Sequence, residues 1–195
     1  LHLDYRRQRQ MCIRDSNIDS NISLLNFLRH NCKFTGTKEG CSEGDCGACS
    51  VLIFDEKGSL APVNSCILKV GQILDKNIVT IEGASRLSSA KPLIEALNSK
   101  AASQCGFCTP GFVMAALALK EKHKSPSESV IHDSLSGNLC RCTGYRPIVN
   151  GIQSLKEKIR FPMPINSKGP KLKTAIFGET TYIYPDSKKE LIEFI

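Results

Sequence analysis

Ten cysteines in 195 residues constrain this chain more than any other feature, because eight of them fall into two sets of four. The first set is Cys41-x4-Cys46-x2-Cys49 with Cys66 downstream, and the second is Cys105-x2-Cys108 with Cys140-x-Cys142. No N-terminal stretch combines a basic region with an apolar core, so no export signal is visible. Cysteines at this density without such a signal argue for metal ligation or redox chemistry rather than a disulfide framework, and predict a cytoplasmic setting. The longest apolar run, Phe112 to Leu119, is too short to span a bilayer.

The spacing of the first set is that by which plant-type ferredoxins hold a [2Fe–2S] cluster, four thiolates for two irons. The second set supplies thiolates for another. Structural zinc fits less well: its knuckles normally pair two C-x2-C arms, whereas a C-x4-C arm and a C-x-C arm intervene here. Gly44, Gly47 and Ala48 also let the backbone wrap closely and turn N–H groups toward bridging sulfides. A Rieske centre would need two histidine ligands, and His30, His123 and His132 have no cysteine at suitable spacing. A nucleophilic cysteine typically stands alone beside a base, and these come in fours. Cys32 has no quartet and reads as a small apolar side chain in packing. Cys12 has none either.

The net charge of +7 is spread over the N-terminus (Arg6, Arg7, Arg9, Arg14) and the late chain (Lys156, Lys158, Arg160, Lys168, Lys171, Lys173). No basic stripe interleaved with stacking aromatics is present, so nucleic acid is not an expected partner. A membrane is not one either.

The organisation expected from patterning is α+β. Residues 1–16 show neither strand nor helix periodicity, and their Arg-rich text reads as a foreign or misjoined terminus. From Asn17, Ser23 caps a helix bearing Leu24, Leu25 and Leu28. A strand is expected over Ser50–Asp55 with a turn at Glu56-Lys57-Gly58, and further strands over Val63–Leu68 and Ile78–Ile81. Residues 17–85, strands around one short helix, are thus expected to form a small α+β domain. Helices are expected over Pro92–Leu97, over Pro110–Glu121 with Thr109 as N-cap, from Ser125 to Leu135, and over Pro147–Ile159. They make a four-helix domain over residues 86–160. Cys105-Gly-Phe-Cys108-Thr-Pro-Gly is echoed by Cys140-Arg-Cys142-Thr-Gly-Tyr-Arg-Pro147, which would put four thiolates at the N-terminal ends of two helices, where the dipole favours thiolate. Residues 161–178 read as an extended, proline-bearing linker. Residues 179–195 read as a strand entering a helix, the beginning of a further domain.

Three motifs carry a resemblance: Gly36-Thr-Lys-Glu-Gly-Cys-Ser-Glu-Gly-Asp-Cys-Gly-Ala-Cys49, Gln104-Cys-Gly-Phe-Cys-Thr-Pro-Gly111 and Gly137-Asn-Leu-Cys-Arg-Cys-Thr-Gly-Tyr-Arg-Pro147. In this order they resemble the iron–sulfur portion of the xanthine dehydrogenase family of molybdenum hydroxylases, from about Asn17 to Phe161. The Glu-Gly-Asp-Cys variant is most similar to bacterial small subunits of that family.

The resemblance implies a β-grasp, plant-type ferredoxin-like domain, an all-α four-helix [2Fe–2S] domain, and the truncated start of a flavin-binding α+β domain. It implies one cluster on Cys41, Cys46, Cys49 and Cys66 and a second on Cys105, Cys108, Cys140 and Cys142, with Gln104 near a molybdopterin. Electrons from purine hydroxylation on a molybdenum-binding large subunit would then reach FAD held in cis and finally NAD, in a hetero-oligomer. FAD retention and purine oxidation are not expected of these 195 residues alone. A related reading keeps this architecture for an aldehyde, an aromatic heterocycle or carbon monoxide. Non-enzyme readings are a stand-alone ferredoxin-like carrier or a zinc-stabilised interaction module.

Overall fold

A computed structural model describes residues 19–54, 58–73 and 76–161, together with the backbone of a hairpin at 174–177 and 180–183. The expected foreign terminus at 1–16, the turn residues 56 and 57, and the helix expected after Ser187 lie outside the described residues.

The chain enters through a short helix, α1 (Leu24–Asn26), capped by Ser23, whose hydroxyl accepts from Asn26 N–H at 3.1 Å. It continues as a wider π-type turn, Phe27–Asn31, closed by Cys32 N–H on Phe27 O at 3.0 Å. β1 (Ser50–Phe54) pairs antiparallel with β2 (Leu60–Asn64) on one side and β3 (Ile78–Val79) on the other, giving the order β2-β1-β3.

As the central strand, β1 is buried on both faces, and its alternation divides the core in two. Val51 packs with Leu24, Phe27, Leu28, Val70 and Ile73 on the α1 side. Leu52 and Phe54 join Leu60 and Val79 in a second, larger core made mostly by helices. That larger core runs across residue 85, the expected boundary between an α+β and a helical unit.

The helical part comprises α2 (Ile81–Ser85), α3 (Lys91–Ser99), α4 (Thr109–Lys122), α5 (Glu128–Leu135) and α6 (Arg146–Ser154). α4 is its axis. Gly111 to Lys120 are buried without interruption, so the helix shows no polar face where it passes between the sheet and α5. Gly151 lets α6 approach α3, since a Cβ there would lie 3.0 Å from Leu97 Cα. Prolines at the first or second helical position start α3, α4 and α6. Among the described residues no helix is long and apolar enough to cross a membrane.

Several expected boundaries move. The strand expected over Val63–Leu68 lies instead at Leu60–Asn64, and residues 65–67 turn, because Ser65 bonds back to Cys49 O through both its N–H and its hydroxyl. Ile81 opens α2 rather than ending β3. Cys108, not Thr109, is the N-cap of α4, and α5 starts after Ser127, whose hydroxyl accepts from Val130 N–H at 3.4 Å. α6 ends at Ser154 rather than Ile159. The expected linker at 161–178 carries a strand at its end: β4 (Thr174–Phe177) pairs antiparallel with β5 (Thr180–Ile183), and Phe161 belongs to the core.

Candidate iron–sulfur sites

None of the nine described cysteines is in a disulfide, and the sulfurs of eight of them lie close together in pairs. In the first quartet, residues 40–47 coil tightly around Cys41 Sγ. The backbone N–H groups of Glu43, Asp45 and Cys46 point at that sulfur from 3.5, 3.3 and 3.4 Å, and Cys41 N–H points at Cys46 Sγ from 3.4 Å. Left-handed backbone at Ser42, Gly44 and Gly47 makes the coil possible. A Cβ on Gly40 would come within 2.7 Å of Cys46 Sγ.

This nest of donors, led by Glu43 and Cys46, lowers the Cys41 thiol from 9.0 to about 7. On the far side, the turn at 65–67 brings Cys66 against Cys49, the one fully buried thiol of the set. Burial and then the Cys49 sulfur push Cys66 up to about 11, against a Gly44 N–H that favours its thiolate.

The second quartet is assembled by two loops, one leading into α4 and one into α6. Cys142 Sγ lies 3.6 Å from Cys105 Sγ, both exposed, and Cys108 pairs with Cys140 deeper in. Burial and then Cys140 raise Cys108 to about 12, so an N-cap position does not lower this thiol as the helix dipole alone would. Burial also opposes the Cys140 thiolate, but the hydroxyl and N–H of Thr143 outweigh it and the thiol is lowered. Cys142 is raised, first by its hydrogen-bonded neighbour Cys105.

Sulfurs crowded in this way oppose each other's ionisation, and only a positive centre among them would hold all four as thiolates. The described residues present the sulfurs as pairs: Cys41 with Cys46, Cys49 with Cys66, Cys105 with Cys142, and Cys108 with Cys140. No three His, Cys, Asp or Glu side chains among them are arranged to hold one metal ion. A [2Fe–2S] cluster asks for pairs, since each iron takes two protein thiolates and two sulfides, whereas a zinc ion would need all four sulfurs around one point. The donor sets fit two-iron clusters.

Gln104 stands exposed in the loop before Cys105, where a Ser103–Thr109 hydroxyl contact of 2.9 Å spans the loop. Cys32 is away from both quartets and packs against the α1-side core. Cys32→Ser is therefore expected to leave both sets of thiols able to bind iron, checked by unchanged iron content.

Sequence reasoning missed the residues that shape the second quartet. Tyr145 adopts a left-handed backbone, φ +67°, and its hydroxyl accepts from Cys140 N–H at 3.0 Å while its ring meets Phe112 edge-on. Thr143 Oγ1 lies 3.1 Å from Cys140 Sγ. Their place beside Cys140 and Cys142 was the available signal.

Residues 80–153 match a family model described as "[2Fe-2S] binding domain". Xanthine dehydrogenase of Emericella nidulans is 41% identical over 147 residues, covering 73% of this chain and 11% of that protein. Aldehyde oxidase 1 of Rattus norvegicus is 40% identical over 146 residues, covering 72% of this chain and 11% of that protein. Among solved structures, quinoline 2-oxidoreductase of Pseudomonas putida 86 superposes with a TM-score of 0.64 at 36% identity, covering 70% of this chain and 82% of that one. The chain thus spans about a tenth of the length of these curated relatives.

Proposed function

The chain belongs to the molybdenum hydroxylase family as its iron–sulfur electron-transfer part, and we propose that it serves in this way in a xanthine dehydrogenase. In this reading it passes electrons from a molybdopterin-bearing partner chain toward FAD and NAD during purine hydroxylation. The observation that carries it is the pairing of eight cysteine sulfurs into two quartets. Cys41, Cys46, Cys49 and Cys66 would hold one [2Fe–2S] cluster, and Cys105, Cys108, Cys140 and Cys142 the other.

When bound, such a cluster supplies exchange of single electrons. The chain's own contribution is to orient the thiolates and set the polarity around them. Three N–H groups on Cys41 Sγ favour the reduced, more negative state at the first site. At the second, Thr143 favours negative charge on Cys140, and the exposure of Cys105 and Cys142 leaves that site open to a partner. Exposed Gln104, beside Cys105, would lie at the contact with the molybdopterin.

Preference for a purine over an aldehyde rests on the Glu43-Gly44-Asp45-Cys46 variant and on the chain continuing past residue 161 into a strand pair. That continuation would be a linker into a flavin-binding domain. The reading treats residues 17–85 as the ferredoxin-like unit and 86–160 as the helical one.

Reconstituted protein is expected to contain about four irons and four acid-labile sulfides per chain, and on reduction to show two overlapping paramagnetic signals. Half that iron with one signal, or stoichiometric zinc without sulfide, would overturn the assignment. Mixing the protein with a molybdenum-bearing partner then separates the substrates, since xanthine rather than an aldehyde should bleach the clusters.

A further inference from the structure

The two cysteine loops meet at one joint, and buried Asn138 is its centre. Leu139 N–H donates to Cys46 O at 2.9 Å, which bonds the backbone of a first-quartet cysteine to the residue just before Cys140. Beside it, Asn138 Nδ2 donates to Gly47 O at 3.2 Å. That carbonyl also accepts from Ser50 N–H at 3.1 Å and from the Ser50 hydroxyl at 2.7 Å. Asn138 is 6% exposed, and its own N–H is fixed on Leu135 O at the end of α5.

The packing leaves no slack. Gly47 has φ +68°, and a methyl on it would collide with the Gly137 carbonyl and the Asn138 amide. A methyl on Gly111, in the first turn of α4, would collide with the Gly47 carbonyl. Three segments therefore touch backbone to backbone, and only glycine and one amide fit between them.

We infer that Asn138 is a positioning residue which, with Gly47 and Gly111, fixes the distance and orientation between the two quartets, and with them the coupling between the two clusters. The inference rests on the reading of both quartets as cluster sites. Its physical content is a continuous connection: from Cys46 Sγ through its carbonyl, across one hydrogen bond to Leu139 N–H, and along the backbone to Cys140 Sγ. Coupling along such a connection falls when a hydrogen bond opens into a gap. The Asn138 amide is the side chain that holds this one shut.

Paramagnetic resonance of the fully reduced, reconstituted chain tests it, because two neighbouring spins split each other's signals. Asn138→Leu keeps the branched outline, at somewhat greater bulk, and removes the amide, and Gly111→Ala wedges the joint open. Both are expected to keep both signals and lose their mutual splitting, with slower electron exchange between the clusters. Unchanged splitting in Asn138→Leu, or loss of iron from either site in that variant, would overturn the inference. Should Gly111→Ala fail to assemble, Asn138→Leu decides alone. Failure of the cluster reading itself would be distinct, since the unsubstituted chain would then lack two signals from the start.

Discussion

Replacing Cys142 with serine is expected to remove one cluster and spare the other. Iron should fall to about two per chain, and one of two paramagnetic signals should vanish, on the two-irons-per-cluster count. The substitution touches little else. Cys142 is exposed, and the contact its sulfur makes is with Cys105 Sγ at 3.6 Å. No core packing is lost, and a serine hydroxyl is a poor replacement for a soft thiolate on iron.

The first quartet is insulated by being locally built. The N–H groups that cradle Cys41 come from Glu43, Asp45 and Cys46, within five residues of it. The joint between the loops runs through the Leu139 backbone and the Asn138 side chain, and neither is altered. Loss of both signals together would show that the quartets share ligands or that the helical loop is needed to form the other, and a division near residue 85 would fall. The shared core of Leu52, Phe54, Leu60 and Val79 with α4 makes that outcome a real test.

Both proposed quartets stood out in the sequence because a cluster would dictate local spacing, so cysteines of this kind announce themselves in the one-dimensional text. β1 was legible for a related reason: it is buried on both faces, and after Ser50 its residues Val51 to Phe54 are apolar without interruption. The start of α4 was marked by Pro110, although the cap proved to be Cys108. Less was visible where a contact far along the chain decides. β2 ends at Asn64 because Ser65 turns back to Cys49, and the apolar look of residues 66–68 concealed it. α2 has five residues with Gly83 inside, too short for a helical period to emerge. The Asn138–Gly47 bond joins positions 91 residues apart, and nothing near either marks it. Tyr145 shows a subtler limit. A left-handed backbone at a tyrosine runs against local preference and is held by its hydroxyl on Cys140 N–H and its ring on Phe112.

Lys120 was the least expected feature, and its removal should cost stability more than that of any other charged side chain described. It sits in the last part of α4 with no surface exposed, in what reads as the tail of an apolar run. Its ammonium donates to Leu155 O at 2.7 Å and to Lys124 O, and its own carbonyl accepts from Ile159 N–H at 3.1 Å. One residue thereby caps the end of α4 and pins the segment that leaves α6 toward Phe161. Substitution by Met keeps the stem volume but strands two carbonyls, each worth about 1–3 kcal/mol when left unpartnered. Relief from burying a charge offsets part of this, so the expected loss is about 2 kcal/mol. Lys120→Ala adds a cavity and should lose about 3–5 kcal/mol.

A pH signature separates this staple from simple packing. Burial lowers the Lys120 pKa from its ordinary 10.5, with nearby Lys156 acting in the same sense and Glu157 against it. The unfolded chain then binds more protons than the folded one between the lowered value and 10.5, so this lysine makes stability rise with pH across that window. Denaturant midpoints of the two proteins should therefore diverge as pH climbs toward 10.5, the wild type gaining on Lys120→Met. Parallel curves would mean that the ammonium is solvated in solution and that the buried staple is not what holds the exit segment to α4.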